Sequence, residues 1–161
     1  MRLDVACLSG LAFATGFSAS CLASEAEKSF DLQCGVLSQV ASRTWRVKEE
    51  TTRIPKHLKE MGFKFGCLIY EKSNKTFKLQ TVVRLPVPPR VVGPGFIDLD
   101  SAGGLRGAPA TREGQAAVIF SFDRDDPIGL WKLEIHVDDK LLRTFEFTVY
   151  EPEQPAAKPT P

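Results

Sequence analysis

The closing stretch GLWKLEIHVDDKLLRTFEFTVY, Gly129 to Tyr150, sorts its side chains onto two faces. Trp131, Leu133, Ile135 and Val137 alternate with Lys132, Glu134 and His136. After the Asp138-Asp139-Lys140 turn, Arg143, Phe145, Phe147 and Val149 alternate with Thr144, Glu146 and Thr148. Successive side chains of a strand point to opposite faces, so this pattern describes an antiparallel hairpin with one apolar and one polar face, and it contradicts an amphipathic helix. A hairpin cannot hide its apolar face by itself. It needs a second layer to pack against, and that need constrains the fold more than any other feature of the chain.

The same period predicts strands at Phe30–Gln39, Thr44–Ile54, Phe63–Tyr70, Thr76–Leu85, Gln115–Phe122, Leu130–Val137 and Leu141–Tyr150. Helical periodicity is weak throughout, and the best helical candidate is the short Pro55–Gly62 segment, at most two turns. About seven strands with hairpin punctuation fit an all-β, antiparallel two-sheet immunoglobulin-like sandwich, with a small β-barrel as the alternative. Trp45 and Trp131 are expected in its core. Between Leu85 and Gly114 lies a Pro- and Gly-dense connection, too long for an ordinary loop, with one short strand expected at Phe96–Leu99. The segment after Tyr150, EPEQPAAKPTP, reads as a disordered or extended Pro-rich tail, residues 151–161.

The chain has 161 residues, 21 of them basic and 20 acidic. That length suits one domain, and the balance gives no broad field to attract nucleic acid or an anionic membrane. Residues 1–23 have the form of a secretory signal: Arg2, the short apolar run VACLSGLAFATGF, and a small-x-small site before Ser24, with cleavage expected between Ser20 and Ala26. The run is too short for a comfortable membrane span. The expected mature domain is therefore 24–150, periplasmic or secreted, with lipidation at Cys21 as the rival reading. Cys34 and Cys67 then remain, and in an oxidising compartment an isolated pair forms a disulfide. Their strand phases agree, because Leu32, Cys34 and Val36 share one face while Phe65, Cys67 and Ile69 share another.

Three stretches together, ETTRIP at Glu50–Pro55, GFKFG at Gly62–Gly66 and the closing GLWKLEIHVDDKLLRTFEFTV, resemble a family of small exported bacterial proteins catalogued only as a domain of unknown function. The resemblance runs from Gly35 to Val149. Pro127 departs from it, standing two residues before Gly129 where the family has Pro directly before Gly. What the resemblance implies is an Ig-like envelope domain with no assigned catalytic residue.

Candidate chemistry is sparse. His57 lies beside lysines, and His136 shares its face with Glu134; neither has a nucleophile elbow or a metal-ligand spacing. That polar face is the kind a solvated sheet presents to water. Asp98, Asp100, Asp123, Asp125 and Asp126 are weak calcium candidates, since carboxylates in sandwich loops can gather around that ion, but none completes a calcium-loop pattern. No cofactor is implied. Val91, Val92, Phe96, Ile97 and Leu105 are more apolar than a solvated loop needs, so they either fold back onto the sandwich or contact another envelope protein or polymer. A non-enzymatic binding or structural module is the leading expectation. The competing one is a metal-dependent or hydrolytic enzyme using His136, Glu134 and the Asp123–Asp126 loop.

Replacing Cys34 by Ser is expected to lower stability by about 3–4 kcal/mol under oxidising conditions, the value for a bridge closing a loop of this length. Urea denaturation measures it, and equal stability of variant and wild type would show that no bridge forms.

Overall fold

The computed structural model describes residues 28–42, 44–56, 63–87, 95–100 and 103–152, the side chain of Asp98 excepted. The signal segment, Cys21, His57, Val91, Val92 and most of the tail lie outside the described residues. So does the helical candidate beyond Lys56. The described strands are β1 Phe30–Ala41, β2 Thr44–Glu50, β3 Arg53–Pro55, β4 Lys64–Glu71, β5 Thr76–Arg84, β6 Phe96–Leu99, β7 Leu105–Gly107, β8 Ala110–Glu113, β9 Gln115–Phe120, β10 Gly129–Val137 and β11 Lys140–Tyr150. They form two open sheets, ordered β2-β1-β4-β9 and β3-β11-β10-β5-β7-β6, with β8 also paired to β5. The protein is an Ig-like β-sandwich, and the barrel alternative is excluded.

The apolar phases read from the sequence meet between the two sheets. Phe65 on β4 has no exposed surface. Its ring lies edge-on to Trp131 and Phe147 across the interface, at 5.8 and 5.7 Å between centroids, and stacks on Phe122 at 4.8 Å. Such pairs add about 0.5–1.5 kcal/mol each beyond the area they bury. Trp131 donates its indole N–H to the Pro127 carbonyl at 2.9 Å, so the buried ring carries no unmet polar atom.

Cys34 and Cys67 are joined, and they are register partners on the neighbouring strands β1 and β4, with Cα atoms 4.1 Å apart. Lys72 N–H donates to Ser29 O, which fixes the alternation of this ladder. Counted along the register from that bond, Cys34 and Cys67 fall on a non-hydrogen-bonded pair, where facing side chains approach most closely. The bridge therefore staples one sheet internally, beside the core, rather than tying the two sheets together.

Four expectations need correction. The segment Thr44–Ile54 is two strands in different sheets: β2 borders β1, and β3 runs parallel to β11. The change of sheet occurs at Thr51 and Thr52, where Thr51 Oγ1 accepts the Arg53 N–H at 3.1 Å. Among its described residues the long connection contains three short strands instead of one, β6, β7 and β8, two of them paired to β5. Arg143 is exposed although the alternation assigned it to the core. The β10–β11 register slips between Ile135 and His136, so Leu142 is the extra residue of a bulge and is buried in its place. Trp45 is half-buried on the outer face of the first sheet and is not part of the core cluster.

That outer face explains itself through glycine. Leu68 points away from the inter-sheet core and still has no exposed surface, and Leu37, further along the same outer face, is also buried. The four-stranded sheet curls toward its outer side far enough that Trp45 on edge strand β2 and Ala117 and Ile119 on the opposite edge β9 line one groove. Gly35 and Gly66 are register partners in the middle strands of this sheet, with φ of 151° and 144°. A Cβ on Gly66 would stand 2.0 Å from the Val118 carbonyl oxygen, and one on Gly35 2.0 Å from that of Glu49. Only a residue without a side chain lets the strands close this far.

Gly66→Ala is accordingly expected to cost at least about 2 kcal/mol, combining backbone strain with a clash that no side-chain rotation relieves. Equilibrium denaturation reads this out, and a cost below about 0.5 kcal/mol would show that the sheet tolerates a Cβ there.

Candidate functional site

Strand β10 places Glu134 and His136 on the outer face of the second sheet, and strand β5 brings Arg84 beside them. Arg84 Nε donates to Glu134 Oε1 at 2.8 Å, and its two terminal nitrogens donate to the Asp100 carboxylate at 3.2 and 2.7 Å. Asp100 Oδ1 also accepts the Gly104 N–H at 2.7 Å, and His136 Nε2 lies 3.4 Å from Glu134 Oε2. The Asp100 hydrogen bonds, then those of Glu134, hold the Arg84 guanidinium even more firmly protonated than usual. The network binds the β6–β7 turn to the sheet. Glu134 Oε1 is thereby taken up by the guanidinium.

The acidic loop Asp123–Asp126 precedes the first residue of β10, whereas Glu134 and His136 lie five and seven residues into it. At the strand rise that is roughly 16–23 Å along the sheet. The residues of the enzyme alternative therefore do not share one pocket. Asp100 is taken by Arg84 and Gly104, and Asp126 Oδ2 accepts the Asp123 N–H at 2.6 Å. Among the described residues no group of three or more His, Cys, Asp or Glu could hold a metal ion. The rest of the polar face carries cross-strand pairs such as Lys132 with Glu146 at 2.8 Å.

The apolar residues of the long connection divide. Leu105 is buried in the core and Phe96 packs half-buried against it. Ile97, at 56% exposure, and Leu99, at 41%, face solvent.

One further feature emerges only from the curl of the first sheet. The groove between Trp45 and β9 has a volume of about 560 Å³ and is lined by Thr44, Trp45, Arg112, Gln115, Ala116, Ala117 and Ile119. Strand β9 pairs with β4 on one side and, among the described residues, with nothing on the other. Sequence periodicity missed this groove because an aromatic residue in an alternating strand looks alike on either face. The uncharged run Gln115 to Phe122 was the signal that could have found it.

Compared with known proteins, residues 32–150 match the family described as the PM0630 beta sandwich domain. Among solved structures, an immunoglobulin-like protein from Pseudomonas aeruginosa is similar at 20% identity, covering 74% of this chain and 92% of that one, with a TM-score of 0.39. A "putative lipoprotein" from Bacillus anthracis is similar at 16% identity, covering 87% and 98%, with a TM-score of 0.35. No curated protein matches.

The acidic loop has one measurable consequence. Burial pushes the Asp126 carboxyl above its ordinary value, opposed by the hydrogen bond from Asp123. The folded chain thus holds the Asp126 proton more tightly than the unfolded chain. This contribution to stability is complete below the unfolded pKa and is lost as pH rises through the folded one. Asp126→Asn stays neutral and can still accept the Asp123 N–H. Its melting temperature relative to wild type should rise between about pH 4 and about pH 7; a difference that falls over that range would mean the carboxylate is stabilised by the fold.

Proposed function

This chain belongs to the PM0630 beta sandwich domain family, and from that premise we propose that it is an exported, non-enzymatic binding module of the bacterial envelope. The observation that carries this reading is the dispersal of its reactive side chains. Glu134 and Asp100 are tied to Arg84, His136 lies beside Glu134, and the acidic loop is at the other end of the strand. Catalysis needs such groups to converge on one position within hydrogen-bond reach of a substrate. Export is supported by the Cys34–Cys67 disulfide, a bond that persists in oxidising compartments. The contact surface proposed for another envelope protein or polymer is the β6 region, where Ile97 and Leu99 are left exposed a few residues after Val91 and Val92 in the sequence.

The test is affinity capture from envelope extract with the wild-type chain, an Ile97→Ser/Leu99→Ser variant and a His136→Ala variant, all of matched melting temperature. A component held by the wild type and by His136→Ala, and lost by the double variant, is the expected result. Loss in His136→Ala with retention in the double variant would overturn the assignment and return attention to the polar face.

A further inference from the structure

We propose that the free edge of β9, together with the Trp45 groove beside it, is a strand-addition site for an extended polypeptide carrying an apolar side chain and a carboxylate. The inference rests on the binding-module reading, but it places a site on the first sheet, away from Ile97 and Leu99.

Backbone geometry supplies the first support. Glu71 N–H donates to Gly114 O, so residues 71 and 114 form a hydrogen-bonded pair of the β4–β9 ladder. Alternation from that pair directs Ala116, Val118 and Phe120 toward β4. It leaves the N–H and C=O groups of Gln115, Ala117 and Ile119 aimed out of the sheet edge. An incoming strand would find three residues' worth of donors and acceptors already in register.

Charge distribution supplies the second. Exposed edges are ordinarily guarded by charged side chains or proline, because an unguarded edge pairs with whatever extended chain it meets. The other edge of this sheet, β2, carries Arg46, Lys48, Glu49 and Glu50, whereas Gln115 to Phe120 contains neither a charge nor a proline. The unguarded edge is also the one with a groove along it.

The groove sets the chemistry of the occupant. Gln115, Ala117 and Ile119 lie on its β9 side, where Ala117 is small, and the half-buried Trp45 lines the same groove. A strand added to β9 would lay alternate side chains on this same face, so one apolar side chain would fit against Trp45. Arg112 lines the groove end, exposed, and its guanidinium donates to the Thr111 carbonyl at 2.9 Å. With a backbone carbonyl as its partner and no carboxylate on it among the described residues, the guanidinium is available to an acidic residue or a terminal carboxylate of the incoming strand.

The experiment is selection of a random dodecapeptide phage library on the full chain, followed by titration of the enriched synthetic peptides. Binding is read by tryptophan fluorescence, since Trp131 is buried and Trp45 borders the groove. The enriched peptides should combine an apolar with an acidic residue at fixed spacing. Ala117→Pro, which removes the outward N–H, Trp45→Ala and Arg112→Glu should each weaken them at least about tenfold at unchanged melting temperature. Exchanging the peptide's acidic residue for lysine should restore binding to Arg112→Glu. If Ala117→Pro fails to melt cooperatively, Ala117→Lys, which puts a charge into the groove, takes its place. Enriched peptides that bind these variants as tightly as the wild type, or no enrichment at all, would overturn the site. A concentration-dependent dimer abolished by Ala117→Pro would also overturn it, assigning the edge to a second copy of the chain. In each of these cases continued capture of an envelope component through Ile97 and Leu99 leaves the binding-module reading standing, and failure of that capture removes it separately.

Discussion

Everything in this protein is arranged around the contact of Phe65 with Trp131 and Phe147. One ring belongs to the four-stranded sheet and two belong to the larger one, so the contact fixes the separation and the relative placement of both layers. Phe122, just past β9, stacks on the same ring, and Phe63 stacks on Phe122 at 6.3 Å. The cluster packs the start of β4 and the end of β9, which meet at one end of the four-stranded sheet, into one unit. Burial of large rings is the main favourable term a sandwich of this size can recruit.

The two outer faces meet different physical demands. On the second sheet, the outer face is mostly polar, Val82 and Leu130 excepted, and the Arg84 bridge to Glu134 and Asp100 fastens the β6–β7 turn over the strands. These side chains are partly exposed, so their worth lies in fixing position more than in stability. On the first sheet the outer face is apolar in part, with Leu37 and Leu68 needing cover. The Gly35–Gly66 pair lets the neighbouring strands β2 and β9 close in on either side of this face. Curvature creates the Trp45 groove as a by-product, next to an edge that carries no charge.

The final hairpin shows how far a turn can be specified locally. Asp138 and Asp139 both have positive φ, 48° and 63°, as a two-residue turn matching the twist of its strands requires. The same loop is held from outside. Asp138 exchanges backbone and side-chain hydrogen bonds with Lys78, and Asp139 pairs with the Lys78 ammonium at 2.7 Å. A local signal and a tertiary clamp agree here, which is why the hairpin is the most legible element of the chain.

Alternation within single strands was enough to read the sandwich class and most core residues on β4 and β10, and the isolation of Cys34 and Cys67 in the expected mature chain was enough to pair them. The sequence by itself could not determine which sheet a strand joins. Nothing in the period changes where Thr51 and Thr52 carry the chain from one layer to the other, so Thr44–Ile54 reads as one strand. Nor does alternation survive a bulge, and Leu142 replaces Arg143 inside for that reason. The candidate site was decided still later. Trp45 lies on an outer face that becomes a groove only when the sheet bends and brings β2 and β9 together, residues about seventy apart in the chain. Such a meeting depends on backbone closeness at Gly35 and Gly66, a property of packed strands that no single strand's pattern contains.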